Sequence, residues 1–323
     1  MRVLITGATG FVGGHLVEAL GRHGAHELHG LSRSAAFAPG WSHLRDRVTL
    51  HAADLADDAA TESVLRRVEP EWVFHLAGYA NAGKSFTEPD AAWRGNLGVT
   101  RVLYDAVAKS GRRPRILYVG TGLVYGDAVP GKAAFDEDCA LQPASPYSAS
   151  KAAADLLSYQ VTRSPGLDVI RVRPFNQTGP GQTPDYAVPA FARQIAAIEQ
   201  GRQSPVVETG DLSAERDLTD VRDMADAYVL LMEHGATGEA YNAATGVTHR
   251  MSAVLELLVA QAKVRVEVRS KVDPSRKGDT AVTRADVSKI KRVTGWRPRH
   301  SLEQTLRDTL ESWRVGSSAS GAA

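Results

Sequence analysis

Near its start the chain reads Val3-Leu-Ile-Thr-Gly-Ala-Thr-Gly-Phe-Val-Gly13. Apolar residues lead into a turn whose glycines are spaced G-x2-G-x2-G, and a helix-competent segment follows at 15–20. This pattern predicts a strand, a tight turn and a helix, the beginning of a dinucleotide-binding βαβ unit. Gly7 would make the turn, Gly10 would let the backbone approach a pyrophosphate, and Gly13 would let the helix pack closely on the sheet. The phosphates would then lie at the positive amino end of the helix.

The composition is typical of a globular protein. The 323 residues include 23% charged and 43% hydrophobic residues, with a net charge of +1. This balance, without a long basic run, argues against nucleic acid or a membrane surface as a partner. No apolar run approaches the roughly 18 residues of a membrane span, and we expect no signal peptide before the first strand. Cys139 is the only cysteine, so no internal disulfide can form, and we expect a cytoplasmic protein.

Strands and helices alternate through the first half of the chain. We predict further strands at 27–33, 48–54, 72–78, 115–121 and 168–173, and helices at 57–68, 90–110 and 146–161. Alternation of this kind indicates parallel pairing with right-handed crossovers. The predicted fold class is therefore α/β, with a doubly wound parallel sheet of Rossmann type and ligands at the carboxyl ends of its strands.

Beyond residue 175 the rhythm changes. After a Gly/Pro-rich loop at 177–184 we predict helices near 188–200, 222–233, 252–262 and 302–313, with short elements at 205–208 and 239–243. We therefore predict a dinucleotide-binding domain at 1–175 and a smaller mixed α/β lobe at 176–315. Some elements of this lobe would return to the first domain, and the two parts would share a cleft. Residues 316–323 are small and polar, and we expect a disordered tail.

Tyr147-Ser-Ala-Ser-Lys151 is the second informative motif. On a helix, residues four apart share a face, so the phenol and the ammonium point the same way. Because a nearby cation favours phenolate, we expect Lys151 to lower the pKa of Tyr147 from about 10 toward neutrality. Such a phenol suits proton transfer in an alcohol–ketone interconversion. The same pair could instead be a solvated helix face.

Thr121 stands where the strand predicted at 115–121 ends. Its hydroxyl would lie at the carboxyl edge of the sheet, where it could hydrogen-bond a substrate oxygen. Alternatively, it only caps its own turn.

Together these motifs resemble those of the extended short-chain dehydrogenase/reductase family. The matching segments are Thr6-Gly-Ala-Thr-Gly-Phe-Val-Gly13, His75-Leu-Ala-Gly78, Asn96, Thr121 with Val124-Tyr-Gly126, and Tyr147-x3-Lys151. The resemblance spans essentially residues 1–315. It implies that Tyr147 is the catalytic acid or base, that Lys151 holds the nicotinamide ribose and tunes the phenol, and that Thr121 orients the reacting oxygen.

The resemblance also implies a set of cofactor contacts and no metal. The contacts would be Gly7, Gly10, Phe11, Val12, Gly13, Ser32, Arg33, Asp54, Leu55, Leu76, Ala77, Gly78, Tyr147, Lys151 and Pro174.

The second half of the chain resembles GDP-mannose 4,6-dehydratases and the related GDP-4-keto-6-deoxymannose reductases. The matching segments are Arg173-Pro-Phe-Asn-Gln-Thr-Gly-Pro-Gly181, Ala192-Arg-Gln-Ile195, Gly210-Asp-Leu-Ser-Ala-Glu-Arg-Asp217 and Asp273-Pro-Ser-Arg276. This resemblance implies a nucleotide-sugar substrate, with GDP favoured, bound by Ser85, Thr121, Asn176, Arg193, Arg216 and Arg276. The last four would grip the diphosphate, since a guanidinium fork matches phosphate oxygens.

The residues that end the second strand indicate which cofactor is used. A carboxylate there would bind a ribose 2′-hydroxyl and repel a 2′-phosphate. This chain has Ser32-Arg33-Ser34 instead, a cation between two hydroxyls, which favours NADP(H) over NAD(H).

Several functions remain compatible with these residues. A 4-keto reductase needs the tyrosine machinery and exchangeable NADPH, and it is the preferred hypothesis. A 4-epimerase needs the same machinery but usually keeps NAD beside an acidic residue. A 4,6-dehydratase needs a further acid and base, which such enzymes place just after the threonine, where this chain has Gly122 and Leu123. A 3,5-epimerase/reductase would want extra proton carriers, and an NADP(H)-sensing regulator would not need the catalytic set.

The resemblance further implies a homodimer, because in this family the helices near 90–110 and 146–161 pair across a two-fold axis. We expect apolar positions such as Leu97, Val99, Leu103, Val107, Leu156 and Leu157 to serve that interface.

Overall fold

Strands and helices alternate in the first half of the protein, as the sequence predicts. The computed structural model describes residues 1–127, 134–271 and 282–319. The elements are β1 (Arg2–Thr6), α1 (Phe11–His23), β2 (Glu27–Ser32), β3 (Thr49–Ala52), α2 (Asp58–Val68), β4 (Trp72–His75), α3 (Pro89–Trp93), α4 (Val99–Lys109), β5 (Arg115–Val119), α5 (Pro146–Arg163) and β6 (Asp168–Pro174). A widened π-turn, Arg94–Gly98, joins α3 to α4.

The second half contains shorter elements. They are β7 (Asn176–Thr178), α6 (Ala187–Glu199), β8 (Val206–Thr209), β9 (Glu215–Asp220), α7 (Val221–His234), β10 (Ala240–Ala243), β11 (Thr248–Arg250), α8 (Met251–Val259), β12 (Glu267–Ser270), β13 (Val282–Thr283), α9 (Ser288–Thr294) and α10 (Leu302–Ala319). The sequence pattern indicated the main helices, but it did not predict α9 or the strands β7, β9, β11, β12 and β13. Helix α10 also includes residues 316–319, which we expected in a disordered tail, while 320–323 lie outside the described residues.

Seven parallel strands form the central sheet, in the order β10-β6-β5-β4-β1-β2-β3. This order confirms the predicted doubly wound α/β fold. The chain winds outward from β1 in both directions, so the crevice for ligands opens at the carboxyl ends of β1 and β4. The seventh strand, β10, comes from the stretch assigned to the second lobe.

Helices cover both faces of this sheet. Residues of β1 alternate between the two cores, because Val3 and Ile5 pack on the α1 and α7 side while Leu4 packs on the side of α2, α4 and α5. This is the two-residue period of a strand that is buried on both faces. No helix among the described residues is both long and apolar enough to cross a membrane.

The second lobe has its own core between α6, α8 and α10. Beside it lies a small sheet in which β9 is central, with β11 and β13 as neighbours and β7 also paired to β9. Strand β7 follows β6 after one residue, so the small sheet begins at the carboxyl edge of the large one.

The apolar positions that we expected at a dimer interface are mostly core residues. Val99, Leu103 and Val107 are buried against the central sheet. They form the apolar face with which α4 packs on the sheet. Leu156 is 58% exposed and Trp93 is 40% exposed. The exposed apolar side chains of these helices therefore lie mainly on α3 and α5, and few lie on α4.

Candidate active site

The glycine turn has the geometry that the sequence predicts. Gly7 has a φ of +74°, in the left-handed region that favours glycine. A Cβ atom on Gly13 would lie 2.4 Å from the carbonyl oxygen of Gly7, so only glycine lets α1 approach the turn. Helix α1 begins at Phe11, and Phe11 and Val12 are half-buried. Because α1 follows directly from the carboxyl end of β1, its amino end lies at the edge of the sheet where the crevice opens, and free amide groups at a helix amino end can bind an anion.

A buried chain of hydrogen bonds joins this turn to the end of β4. His75 Nδ1 lies 2.9 Å from Thr6 Oγ1, and its Nε2 lies 2.9 Å from Thr100 Oγ1. Since the Thr100 hydroxyl donates to the carbonyl of Asn96, His75 must donate from Nε2, and Nδ1 accepts from Thr6. The Thr6 oxygen accepts in turn from the amide of Ala77 at 3.1 Å. The imidazole is therefore neutral, and burial lowers the pKa of His75 to about 3.

This chain of hydrogen bonds fixes two segments that we predicted to contact the cofactor. Leu76, Ala77 and Gly78 follow β4 beside the glycine turn, since a Cβ atom on Gly7 would lie 3.1 Å from the amide nitrogen of Ala77. Sequence analysis matched His75 only as part of a family motif and did not anticipate its role. A histidine inside an apolar strand was the available signal.

The π-turn directs Asn96 inward. Its Nδ2 donates to Ser150 Oγ on α5 at 2.9 Å, while its Oδ1 is buried without a hydrogen-bond partner in the structure. A Cβ atom on Gly78 would lie 2.7 Å from that oxygen and 3.3 Å from Lys151 Nζ. Three predicted family residues from three different elements therefore meet at one point, and π-turns are frequent at such sites.

Tyr147 and Lys151 lie one turn apart in α5, which begins with a capping box at Ser145. Lys151 is 7% exposed, and its ammonium donates to the carbonyl of Val119 at 2.9 Å. Burial lowers the pKa of Lys151 to about 8.

The expected lowering of the tyrosine pKa is wrong for this structure. Burial raises the pKa of Tyr147 to about 12, and the interaction with the Thr121 hydroxyl only partly offsets it. The Lys151 ammonium donates to the Val119 carbonyl. At neutral pH Tyr147 is therefore a phenol that can give up a proton.

Thr121 caps its own turn, one of the two alternatives that the sequence left open. It lies two residues beyond β5 and caps a short 3-10 turn, Gly122–Tyr125, by accepting from the amide of Leu123 at 3.2 Å. The same hydroxyl lies close enough to the Tyr147 phenol to lower its pKa. The cap therefore fixes the Thr121 hydroxyl beside the Tyr147 phenol.

The other predicted cofactor residues lie along the same edge of the sheet. Ser32 ends β2 and donates to the carbonyl of Ser34, and Arg33 is exposed. Asp54 follows β3, is exposed and accepts from the amide of Ala56, whereas Leu55 is buried. Pro174 ends β6.

The predicted substrate residues are only partly brought together. Asn176 pairs with Leu218 in β9, and Arg216 lies two positions before Leu218, so both side chains project from the same face of the small sheet. Arg216 is half-buried and donates to its neighbour Glu215, and Arg193 is exposed on α6. Ser85 is fully buried, with its hydroxyl donating to Ala82 at 2.6 Å. Arg276 lies outside the described residues.

Sequence analysis missed a tyrosine that faces the site. Tyr186 lies near enough to Tyr147 that an ionised Tyr186 would raise the pKa of Tyr147, and its hydroxyl donates to the carbonyl of Ala80 at 3.1 Å. Its position in a Gly/Pro-rich loop gave no periodic signal.

Comparison with known proteins agrees with this geometry. A family model described as GDP-mannose 4,6 dehydratase matches residues 4–309. GDP-6-deoxy-D-mannose reductase of Pseudomonas aeruginosa is 32% identical over 312 residues, which cover 97% of each chain. UDP-glucose 4-epimerase of Mycolicibacterium smegmatis is 31% identical over 316 residues, covering 97% of this chain and 99% of that one. The solved structure of RMD from Pseudomonas aeruginosa complexed with NADPH superposes with a TM-score of 0.84 at 30% identity, covering 98% of this chain and 100% of that one.

Proposed function

The chain belongs to the GDP-mannose 4,6-dehydratase family, in the nucleotide-sugar branch of the extended short-chain dehydrogenases/reductases, and on this premise we propose that it reduces a 4-keto sugar nucleotide with NADPH. The preferred substrate is a GDP-4-keto-6-deoxy sugar. The P. aeruginosa reductase, which matches along nearly its whole length, supports this choice.

The residues of the crevice fit a dinucleotide. A Cβ atom on Gly13 would collide with the glycine turn, so the backbone there stays open to a pyrophosphate. The amino end of α1 lies at the crevice. The ammonium of Lys151 lies beside Gly78, which follows β4. NADPH, when bound, supplies the hydride that adds to C4 of the sugar. Arg33 at the end of β2 offers a cation to a ribose 2′-phosphate, and the solved relative with NADPH supports this preference. The residues that would hold the rest of the NADPH molecule are those predicted from the sequence.

The single observation that carries the reductase proposal is the placement of the Tyr147 phenol beside the Thr121 hydroxyl, just beyond the carboxyl end of β5. Because its pKa is raised to about 12, Tyr147 enters the reaction as an acid and can transfer its proton to the sugar O4. Thr121 would hold the same oxygen with its hydroxyl. The Lys151 ammonium, charged below about pH 8, would stabilise the phenolate that remains.

The residues after Thr121 argue against dehydration. A Cβ atom on Gly122 would lie 2.6 Å from the Phe175 ring, so this position admits no side chain. Leu123 is aliphatic and cannot protonate the C6 hydroxyl or remove the C5 proton.

A 4-epimerase is the second candidate, supported by the M. smegmatis relative. It requires the cofactor to stay bound through both hydride transfers. The absence of a carboxylate from Ser32-Arg33-Ser34 favours exchangeable NADPH over a retained NAD.

The experiment supplies two substrates to the purified protein. With NADPH and GDP-4-keto-6-deoxymannose, we expect one NADPH oxidised per sugar reduced and a GDP-6-deoxyhexose product by mass spectrometry and NMR. With GDP-mannose and NADP⁺, we expect no 4-keto-6-deoxy product. Formation of that product at a comparable rate would identify a dehydratase, and epimerisation of a 4-hydroxy sugar nucleotide without net NADPH consumption would identify an epimerase.

We also propose that a second copy of this chain covers the apolar surface of α3 and α5. Trp93, Leu156 and Tyr159 are 40%, 58% and 46% exposed there. Light scattering should give a dimeric mass, and Leu156→Glu should give a monomer, whereas Val264→Glu, at an exposed position outside these helices, should leave the dimer intact. A monomeric wild type at micromolar concentration would contradict this proposal.

A further inference from the structure

The loop at 179–186 connects the two elements that carry two of the proposed phosphate-binding side chains. It connects β7, which carries Asn176, to α6, which carries Arg193. The carbonyl oxygen of Pro180 in this loop lies 2.9 Å from Nε2 of His15, a residue of α1. A carbonyl only accepts, so Nε2 donates. His15 is 5% exposed, and the mechanism above leaves it without a role.

Aromatic rings hold His15 in place. Its ring meets the edge of Phe11 at 5.5 Å and of Trp41 at 4.7 Å between centroids. Trp41 fills the gap between α1 and the loop, since Cβ atoms on Gly14 and Gly181 would lie 2.5 Å and 3.2 Å from its ring. The imidazole therefore cannot rotate away from Pro180 without disturbing this packing.

Glu18 lies on the other side of the imidazole. Its carboxylate is 3.6 Å from His15 Nδ1, beyond hydrogen-bond distance, and lies 2.9 Å from His43 Nε2. Nδ1 of His15 has no hydrogen-bond partner among the described residues, so the ring is oriented by the Pro180 bond and by its aromatic neighbours.

The far end of the loop is held from the surface. Tyr186 donates to Ala80, and Lys84 lies 3.8 Å from Asp185 across the same gap. These side chains are 40% to 60% exposed, and exposed ion pairs contribute little. The buried bond from His15 is therefore the stronger of the two attachments.

We propose that His15 is a positioning residue for the nucleotide-sugar pocket, holding the loop at 179–186 from the helix that would bind the cofactor phosphates. The nature of the ligand rests on the proposed function, but the position of the loop does not. Because His15 reaches neither Tyr147 nor Lys151 through these contacts, its loss should weaken sugar-nucleotide binding and leave the chemical step unchanged.

Hydrogen exchange on the free protein tests the loop directly. In His15→Phe, which keeps a ring but loses the donor, amides at 179–190 should exchange about tenfold faster, as expected for losing one buried hydrogen bond. His43→Phe is the matched control, since His43 contacts the same carboxylate but not Pro180, and its loop should exchange like the wild type. His15→Gln, which keeps a donor, should restore protection.

Kinetics separate positioning from a general structural role. His15→Phe should raise the KM for the keto sugar about tenfold, with kcat and the NADPH Kd within about threefold of wild type. Unchanged loop exchange, or faster exchange spread over the central sheet, would overturn the proposal. If His15→Phe does not fold, Trp41→Leu gives the same test by loosening the packing between α1 and the loop. A normal exchange response without any turnover would contradict the proposed function alone.

Discussion

The cofactor side and the substrate side of this site are built differently. On the cofactor side several buried polar side chains are already paired within the protein: Thr6, His75 and Thr100 form one buried chain, and Lys151 is bonded to Val119. On the substrate side the proposed ligands are an exposed Arg193 and a half-buried Arg216, carried by a helix and a short strand. The first side is therefore organised before any ligand binds, whereas the second depends on how loops and short strands are held.

This difference predicts where mutations act. Changes on the cofactor side should affect chemistry or cofactor choice, because the groups there have fixed positions. Changes on the substrate side should mainly alter affinity.

Tyr147, where the two sides meet, should give the largest effect. Tyr147→Phe removes the proton donor and should lower kcat by about 10²–10⁴-fold while leaving NADPH affinity nearly unchanged. Tyr159→Phe on the same helix is the control and should retain wild-type kcat. Single-turnover measurements of NADPH oxidation provide the rate, and more than a tenth of wild-type activity in Tyr147→Phe would exclude it as the acid.

Arg33 tests the cofactor side alone. Arg33→Ala should weaken NADPH binding about 10- to 100-fold, the value of a charge-assisted phosphate contact, and should change NADH binding little. Arg66→Ala, an exposed arginine on α2, should change neither. Calorimetric titration with both cofactors gives the two affinities; equal losses would remove Arg33 from the site and favour the epimerase.

Arg193 and Arg216 test the substrate side. Each alanine variant should weaken GDP binding about tenfold, because each removes one guanidinium from the diphosphate, with NADPH affinity unchanged. Arg202→Ala, just beyond α6, serves as the control. If both site variants bind GDP as the wild type does, the nucleotide lies elsewhere.

The smallest effect concerns the stability of the cofactor side in acid. The pKa of His75 is about 3 in the folded protein against 6.5 ordinarily. The unfolded chain therefore binds a proton that the folded chain does not between pH 6.5 and 3, and stability falls as the pH falls through this window. At pH 5.5 the loss of stability from this group is roughly 1–2 kcal/mol.

A His75→Asn variant isolates this contribution. Its free energy of unfolding in urea should be lower than that of the wild type at pH 7.5 but should fall less between pH 7.5 and 5.5. Parallel profiles for the two proteins would show that His75 is not the group responsible.

The strand β9 illustrates what the sequence pattern could not predict. Glu-Arg-Asp-Leu-Thr-Asp at 215–220 lacks apolar alternation, yet it is the central strand of the small sheet. One of its buried carboxylates is satisfied by partners distant in sequence: Asp217 accepts from Thr245 at 2.9 and 2.7 Å and from Gly246 at 2.7 Å. Strand propensity of this kind depends on neighbours that local sequence does not specify.

The sequence by itself determined the Rossmann half of this protein. The glycine turn, the alternating strands and the Tyr147–Lys151 spacing act over short distances, where a steric limit or a helical period leaves one solution. Only the tertiary structure decided the addition of β10 to the central sheet, the protonated state of Tyr147 and the attachment of Pro180 to His15. Each of these depends on burial or on contacts between residues far apart in the chain, which a local sequence pattern does not specify.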